Sequence, residues 1–258
     1  MIMLDAQFIY SLITGIFVGG ISGYLGSLMV TKRMSLVGDA LGHVALPGIA
    51  LALLYNINVV IGAFASLVIG ILLIWFFKTK SELHMEALIG VVFAVSLAFA
   101  FLILSHEELE EALIGDITKV NGIETLISVI LVLIIFYIAR IIYSKMILAT
   151  LSEDLAMSQG IKVRKYDLVY LLIIGVIVAL GIKVVGSLLI GALVVISPAA
   201  ARNFSQNLRQ YSYGGMFLGS LSCLLGIIIY KLFDFPAGPI IILISAAIFL
   251  ISFIFRKK

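Results

Sequence analysis

Apolar residues run almost unbroken through nine stretches of the chain, approximately 8–30, 38–55, 58–77, 87–104, 124–143, 167–182, 184–200, 213–231 and 238–255. Strict alternation of apolar and polar positions would predict half-buried strands, and ten-residue alternating segments would predict a membrane barrel. Solid runs of roughly 20 residues instead predict helices that cross a hydrocarbon core about 30 Å thick. The sixth and seventh runs are short, with Gly181 and Gly186 between them, so they read either as two crossings or as a broken, re-entrant pair. The expected fold class is an all-α integral membrane protein, a polytopic bundle of 8–9 transmembrane helices. No polar stretch is long enough for a soluble domain, and no internal repeat stands out. Residues 1–258 therefore read as a single transmembrane domain.

Composition agrees with the pattern. Hydrophobic residues make up 63% of the chain and charged residues only 12%, against about 25% charged in soluble domains. The first run has no basic segment ahead of it, which favours a retained helix over a cleaved signal. A single cysteine, Cys223, lies inside an apolar run, so neither an internal disulfide nor a cysteine metal cluster is expected.

The net charge of +3 is small and reports topology rather than a nucleic-acid partner. Lys32, Arg33, Lys78, Lys80, Arg140, Lys145, Lys162, Arg164, Lys165, Arg202, Arg209, Arg256, Lys257 and Lys258 fall on one side of the expected bundle; Lys119, Lys183 and Lys231 fall opposite. The positive-inside bias makes the first side cytoplasmic, in a multi-pass cytoplasmic (inner) membrane protein. An outer N-terminus and an inner C-terminus follow, which requires an odd number of crossings. The loop over 105–123 is then outside and acidic, with His106, Glu107, Glu108, Glu110 and Glu111, either a solvated face or an attractor of cations. The loop over 144–166 is inside and too small for a catalytic domain. Its stretch 152–160 predicts a short amphipathic helix, with Ser152 and Glu153 at its start and Gly160 past its end. Glu82, His84 and Glu86 sit at a helix start, where acids suit the helix dipole, and no metal role is assigned to them.

The one pairing with evident chemistry is in GDALGHVALPG, 38–48, where Asp39 and His43 are four residues apart. Positions i and i+4 share a helix face. A carboxylate oxygen and an imidazole nitrogen are both ligands for divalent manganese, iron or zinc. One helix supplies two donors, too few to close a site; two copies about a symmetry axis would supply four. A second reading stays open: Asp39 as the N-cap of the second helix, with His43 a polar side chain holding a neighbouring helix. Charge bias places Asp39 near the cytoplasmic end of that helix. Pro47, one turn on, predicts a kink. Gly15, Gly19 and Gly23, Gly38 and Gly42, and Gly215 and Gly219 form small-residue ridges of the kind that let helices approach closely in lipid.

KRMSLVGDALGHVALPGIALAL (32–53) resembles the signature of permease subunits of the zinc/manganese/iron-importing ABC transporter family. EALIGVVFAVSLAFAFLILS (86–105), LIGDITKV (113–120), SEDLAMSQGIKV (152–163), VVGSLLIGALVVISPAAAR (184–202) and FPAGPIIIL (235–243) follow in the family's order, so the likeness covers essentially the whole chain. The resemblance implies a homodimer that forms the translocation pathway for a divalent transition metal ion (Mn, Zn or Fe). It also implies a cytoplasmic ABC ATPase dimer below and an extracellular metal-binding protein above. The chain itself would be no enzyme, with ATP hydrolysis on a separate subunit. No cofactor would be held permanently; the metal is cargo. Asp39 and His43 match the family's positions associated with metal in the pathway. The segment around 150–163, with Ser152, Glu153, Asp154, Ala156 and Gly160, matches the region that contacts the ATPase. Gly42 stands where the family often has serine, which either removes a hydroxyl beside His43 or extends the glycine ridge. Lys183 stands near a position commonly uncharged; it either repels cations at the outer mouth or snorkels to the interface.

Three rival functions remain. An intramembrane serine protease would use Ser22 of Gly20-Ile21-Ser22-Gly23 with His43 as base. An ABC permease for a metal chelate or vitamin would need a wide pathway and no Asp/His pair. A secondary transporter would work without an ATPase, and the chain carries no phosphate-binding G-x-x-x-x-G-K-[ST] loop, as expected of a permease subunit as well.

Overall fold

The computed structural model describes residues 6–81, 83, 85–115, 120–233 and 235–255. Glu82, His84, Lys119, Arg256, Lys257 and Lys258 lie outside the described residues, as do the side chains of His106, Glu110 and Glu111.

Among the described residues, twelve α-helices follow in order: α1 (Ala6–Thr31), α2 (Ser35–Val44), α3 (Leu46–Leu54), α4 (Val59–Lys80), α5 (Met85–Ile103), α6 (His106–Ile114), α7 (Gly122–Leu151), α8 (Glu153–Ser158), α9 (Val163–Val185), α10 (Ser187–Arg202), α11 (Leu208–Phe233) and α12 (Ala237–Ser252). Taken together, α2 and α3 form one candidate span, and with α1, α4, α5, α7, α9 and α11 they give 7 helices long and apolar enough to cross a membrane. The apolar helices α10 and α12 have 16 residues each. These account for the nine apolar runs. Gly181 does not separate the sixth run from the seventh, because α9 continues to Val185. The break is Gly186 alone, whose φ of 91° is the left-handed conformation that glycine adopts without strain.

Helix α1 is the hub, packed against α7, α9, α10 and α11. Lipid tails are as apolar as leucine, so close backbone approach rather than water exclusion drives helix pairing here. Two of the three predicted ridges, those of α1 and α11, face each other. A Cβ at Gly19 would run into the Gly219 carbonyl, and one at Gly23 into the Gly215 carbonyl. Hydroxyls then tie α1 to its neighbours. The Tyr170 hydroxyl of α9 donates to the Leu25 carbonyl over 2.9 Å, and the Ser220 hydroxyl of α11 to the Ile16 carbonyl over 3.0 Å. Such pairs matter because a polar group left unpaired in hydrocarbon costs several kcal/mol.

The acidic loop over 105–123 is partly helical. Residues His106–Ile114 form α6. Its start is a reciprocal cap, with Glu108 accepting from the Ser105 amide and hydroxyl over 2.9 and 2.7 Å. Farther along, the Ala112 carbonyl accepts from the buried Ser187 hydroxyl at the start of α10 over 2.8 Å, which docks α6 on the bundle.

Candidate metal site

Helix α2 begins at Ser35, with Met34 at its N-cap and no side chain closing the cap. Asp39 therefore lies inside the helix, about 6 Å from its start at 1.5 Å per residue, and the N-cap reading of Asp39 falls. Pro47 opens α3. It has no N–H to offer the carbonyl of His43 four residues back, and the helix is interrupted at Ala45, between α2 and α3. The neighbouring Val44 carbonyl accepts from the Ser66 hydroxyl of α4 over 2.7 Å, which steadies the opened backbone. The sequence thus builds a joint directly after the histidine.

Glycines fix which way the pair faces. A Cβ at Gly42 would run into the Ser187 carbonyl of α10, and one at Gly191 of α10 would run into the Asp39 backbone. Of the two readings of Gly42, packing supports the ridge. With that side of α2 pressed on α10, Asp39 is left exposed and turned to a cavity of about 200 Å³ shared with α5. Glu86, Gly90 and Phe93 of α5 line the same cavity. Beside Gly90 there is open space, enough that a Cβ would meet nothing within 4 Å.

His43 is 8% exposed. Its Nδ1 lies 3.1 Å from the Asp39 carbonyl oxygen. A carbonyl only accepts, so in this contact Nδ1 donates, and the lone pair of that tautomer is on Nε2. A backbone carbonyl orienting the far nitrogen is the usual support for a metal-binding histidine. The ring meets Phe93 edge to face, with centroids 5.0 Å apart, which fixes its tilt beside the cavity. Among the described residues, no three His, Cys, Asp or Glu side chains are grouped to hold a metal ion.

Glu86 shows what sequence reasoning missed. Its place at a helix start suits the helix dipole, and it also shares the Asp39 cavity. Nothing in the local spacing links residues 39 and 86, because the link is the packing of α2 on α5.

The protease geometry is not assembled. Ser22 is fully buried, and its hydroxyl has no hydrogen-bond partner, so no base activates it. Lys183 neither snorkels nor stands free, for it pairs with Glu124 of α7 over 2.6 Å. Glu124 also accepts from Asn58 over 3.3 Å and closes a capping box with Asn121. The charge of Lys183 is neutralised within the bundle.

The predicted amphipathic segment is present as α8. Ser152 caps it, its hydroxyl accepting from the Leu155 amide over 3.2 Å. Glu153 and Asp154 are exposed, Ala156 is fully buried, and Gly160 takes a φ of 75° just past the end. Leu155 and Met157 stand half exposed, at 48% and 53%.

Seven candidate spans among the described residues, one of them jointed at Ala45, define a polytopic membrane protein. Comparison with known proteins carries this further. The model of the ABC 3 transport family matches residues 5–256. The chain is 29% identical over 252 residues to the manganese import system permease protein ScaB of Streptococcus gordonii, covering 96% of this chain and 91% of that one. It is 26% identical over 254 residues to the high-affinity zinc uptake system membrane protein ZnuB of Haemophilus influenzae, with 96% and 97% covered. Among solved structures it is similar to PsaBC from Streptococcus pneumoniae in complex with Fab, with a TM-score of 0.85, 27% identity, and 97% and 92% of the two chains covered. The chain belongs to the ABC 3 transport family and is a multi-pass membrane permease.

Proposed function

We propose that this chain is the permease subunit of an ATP-driven importer of divalent transition metal ions, and that two copies form the pathway. The observation that carries the reading is the Asp39–His43 pair. Asp39 is exposed, His43 lies one turn on, and among the described residues no three His, Cys, Asp or Glu side chains are grouped to hold a metal ion. A second copy facing the first brings two carboxylates and two imidazoles to one ion. A mixed oxygen and nitrogen set suits manganese, zinc and iron alike. The relatives named for manganese import and for zinc uptake agree with that breadth. Weak, temporary coordination is what conduction needs, since a cargo ion must leave as readily as it enters.

The ATPase partner engages α8 and its flanks. Ser152 and Gly160 fix the ends of the helix, Ala156 anchors it, and Glu153 and Asp154, with Leu155 and Met157, face outward to the partner. On the opposite side, α6 presents Glu107 and Glu108 to the docking metal-binding protein. The chelate or vitamin alternative is less well supported, because it leaves the Asp39–His43 stripe without a task.

Uptake of manganese and zinc by cells or vesicles carrying the assembled transporter tests the reading. Asp39→Ala and His43→Ala are each expected to cut uptake at least tenfold, with assembly and ATP hydrolysis retained. Ser22→Ala is expected to leave uptake unchanged. Normal uptake with Asp39 and His43 both replaced overturns the site.

A further inference from the structure

A second cavity, of about 630 Å³, opens between α1, α7 and α11, on the other side of the hub from the Asp39 site. Its lining includes Tyr24, Arg140, Tyr143, Arg209, Ser212 and Tyr213, and no acidic side chain. Arg140 lies eighteen residues beyond Gly122 on α7. At 1.5 Å per residue that is ~27 Å, close to the full depth of a ~30 Å hydrocarbon core. Arg209 is in the first turn of α11, at the same end of the bundle. The cavity therefore sits where acyl chains give way to headgroups, on the side that the basic residues mark as inner.

The two guanidinium groups differ from the cations near them. Lys32 is held by Asp167 of α9, and the Lys145 ammonium donates to the Tyr166 hydroxyl over 2.8 Å. Among the described residues, no carboxylate pairs with Arg140 or Arg209, and both are exposed. Below them the wall turns aromatic. Tyr24 meets Phe136, Tyr143 and Tyr213 with ring centroids 5.1, 5.5 and 5.7 Å apart. Tyr24, Tyr143 and Ser212 are buried, so they form a fixed floor rather than a mobile rim. On the membrane side of the same two helices, Leu133, Tyr137 and Phe217 are exposed and apolar or aromatic.

A cationic mouth, a hydroxyl-lined and aromatic floor and an apolar exit toward the acyl region are complementary to one kind of molecule. We infer that this cavity is a binding site for the headgroup of an anionic phospholipid, with the phosphodiester held by Arg140 and Arg209 and the acyl chains running along α7 and α11. Guanidinium groups are suited to phosphate oxygens, which they meet with paired donors. Basic pockets between membrane helices on the inner leaflet recognise such headgroups. A zwitterionic headgroup adds a cation that no carboxylate in the cavity would receive, so phosphatidylglycerol is favoured over phosphatidylcholine. The lipid bridges α7 to α11 across α1, and the occupied site stiffens the hub of the fold.

Native mass spectrometry of the full-length protein, released from vesicles of equal phosphatidylglycerol and phosphatidylcholine, tests this. One phosphatidylglycerol is expected to be retained per chain, at least tenfold over phosphatidylcholine. Arg140→Gln with Arg209→Gln is expected to abolish that preference, and Lys78→Gln with Lys80→Gln, outside the cavity, to preserve it. Equal retention of the two lipids by the unaltered protein overturns the proposal. So does a preference that survives in the double arginine variant, or one that 10 mM inorganic phosphate removes, because the site would then take a free anion. The unaltered-protein measurement decides the matter even where the arginine variant fails to fold.

Discussion

At the scale of single residues, the account turns on how little separates a ligand from a packed side chain. That Asp39 and His43 share a helix face was legible from spacing, since i and i+4 on a helix is a one-dimensional rule; their proposed role as ligands comes from the family resemblance. Their surroundings were not legible in this way. That Glu86 shares the cavity depends on how α2 rolls against α10 and α5. Gly191 sets that roll, because any side chain there would press on the Asp39 backbone. Gly191→Ala is expected to displace α2 and destabilise the protein by about 1–3 kcal/mol, the usual cost of overpacking. A lowered thermal midpoint with uptake reduced, though every donor is intact, is the expected outcome. An unchanged midpoint and unchanged uptake would show that α2 is not positioned by this contact.

At the scale of elements, capping and exposure make predictions that charge counts do not. The acidic loop read as a solvated run, but Ser105 and Glu108 cap one another and start α6. Those bonds favour the ionised carboxylate and hold the Glu108 pKa below its ordinary value. A group whose folded pKa is depressed contributes stability above its unfolded value and loses it as pH falls through the folded one. Order in the first turn of α6 is thus expected at neutral pH and lost under acid conditions, below the ordinary carboxylate range. Hydrogen exchange of the α6 amides as a function of pH checks this. Faster exchange at acid pH than the intrinsic chemistry allows for, abolished in Glu108→Gln, is the expected result. Helix α8 was legible almost to its ends, because a serine start and a glycine stop are local signals. Its division of labour was not. Ala156 is fully buried while Leu155 and Met157 stand out. Replacing Leu155 and Met157 with serine is expected to weaken association with the ATPase about tenfold while leaving the thermal midpoint unchanged. Ala156→Leu is expected to lower the midpoint instead. Pull-down of the ATPase and thermal unfolding separate the two.

At the scale of the whole molecule, the sequence declared a helical membrane bundle through its solid apolar runs, and family membership over residues 5–256 agrees. Small-residue ridges were visible too, but not that the ridge of α1 meets that of α11, since partner choice between helices has no local signal. The same holds for Lys183, whose apparent conflict with a cation pathway dissolves once Glu124 is placed beside it. Asp39 is exposed on α2 and His43 lies buried one turn on; the central claim of the proposed function is that two copies bring these donors together around one ion. Equilibrium dialysis of the purified complex of this chain with its ATPase, without the extracellular metal-binding protein, against radiolabelled manganese measures this directly. The account predicts one ion bound for every two chains, lost in Asp39→Ala with His43→Ala. One ion per chain, or undiminished binding in that double variant, would contradict it.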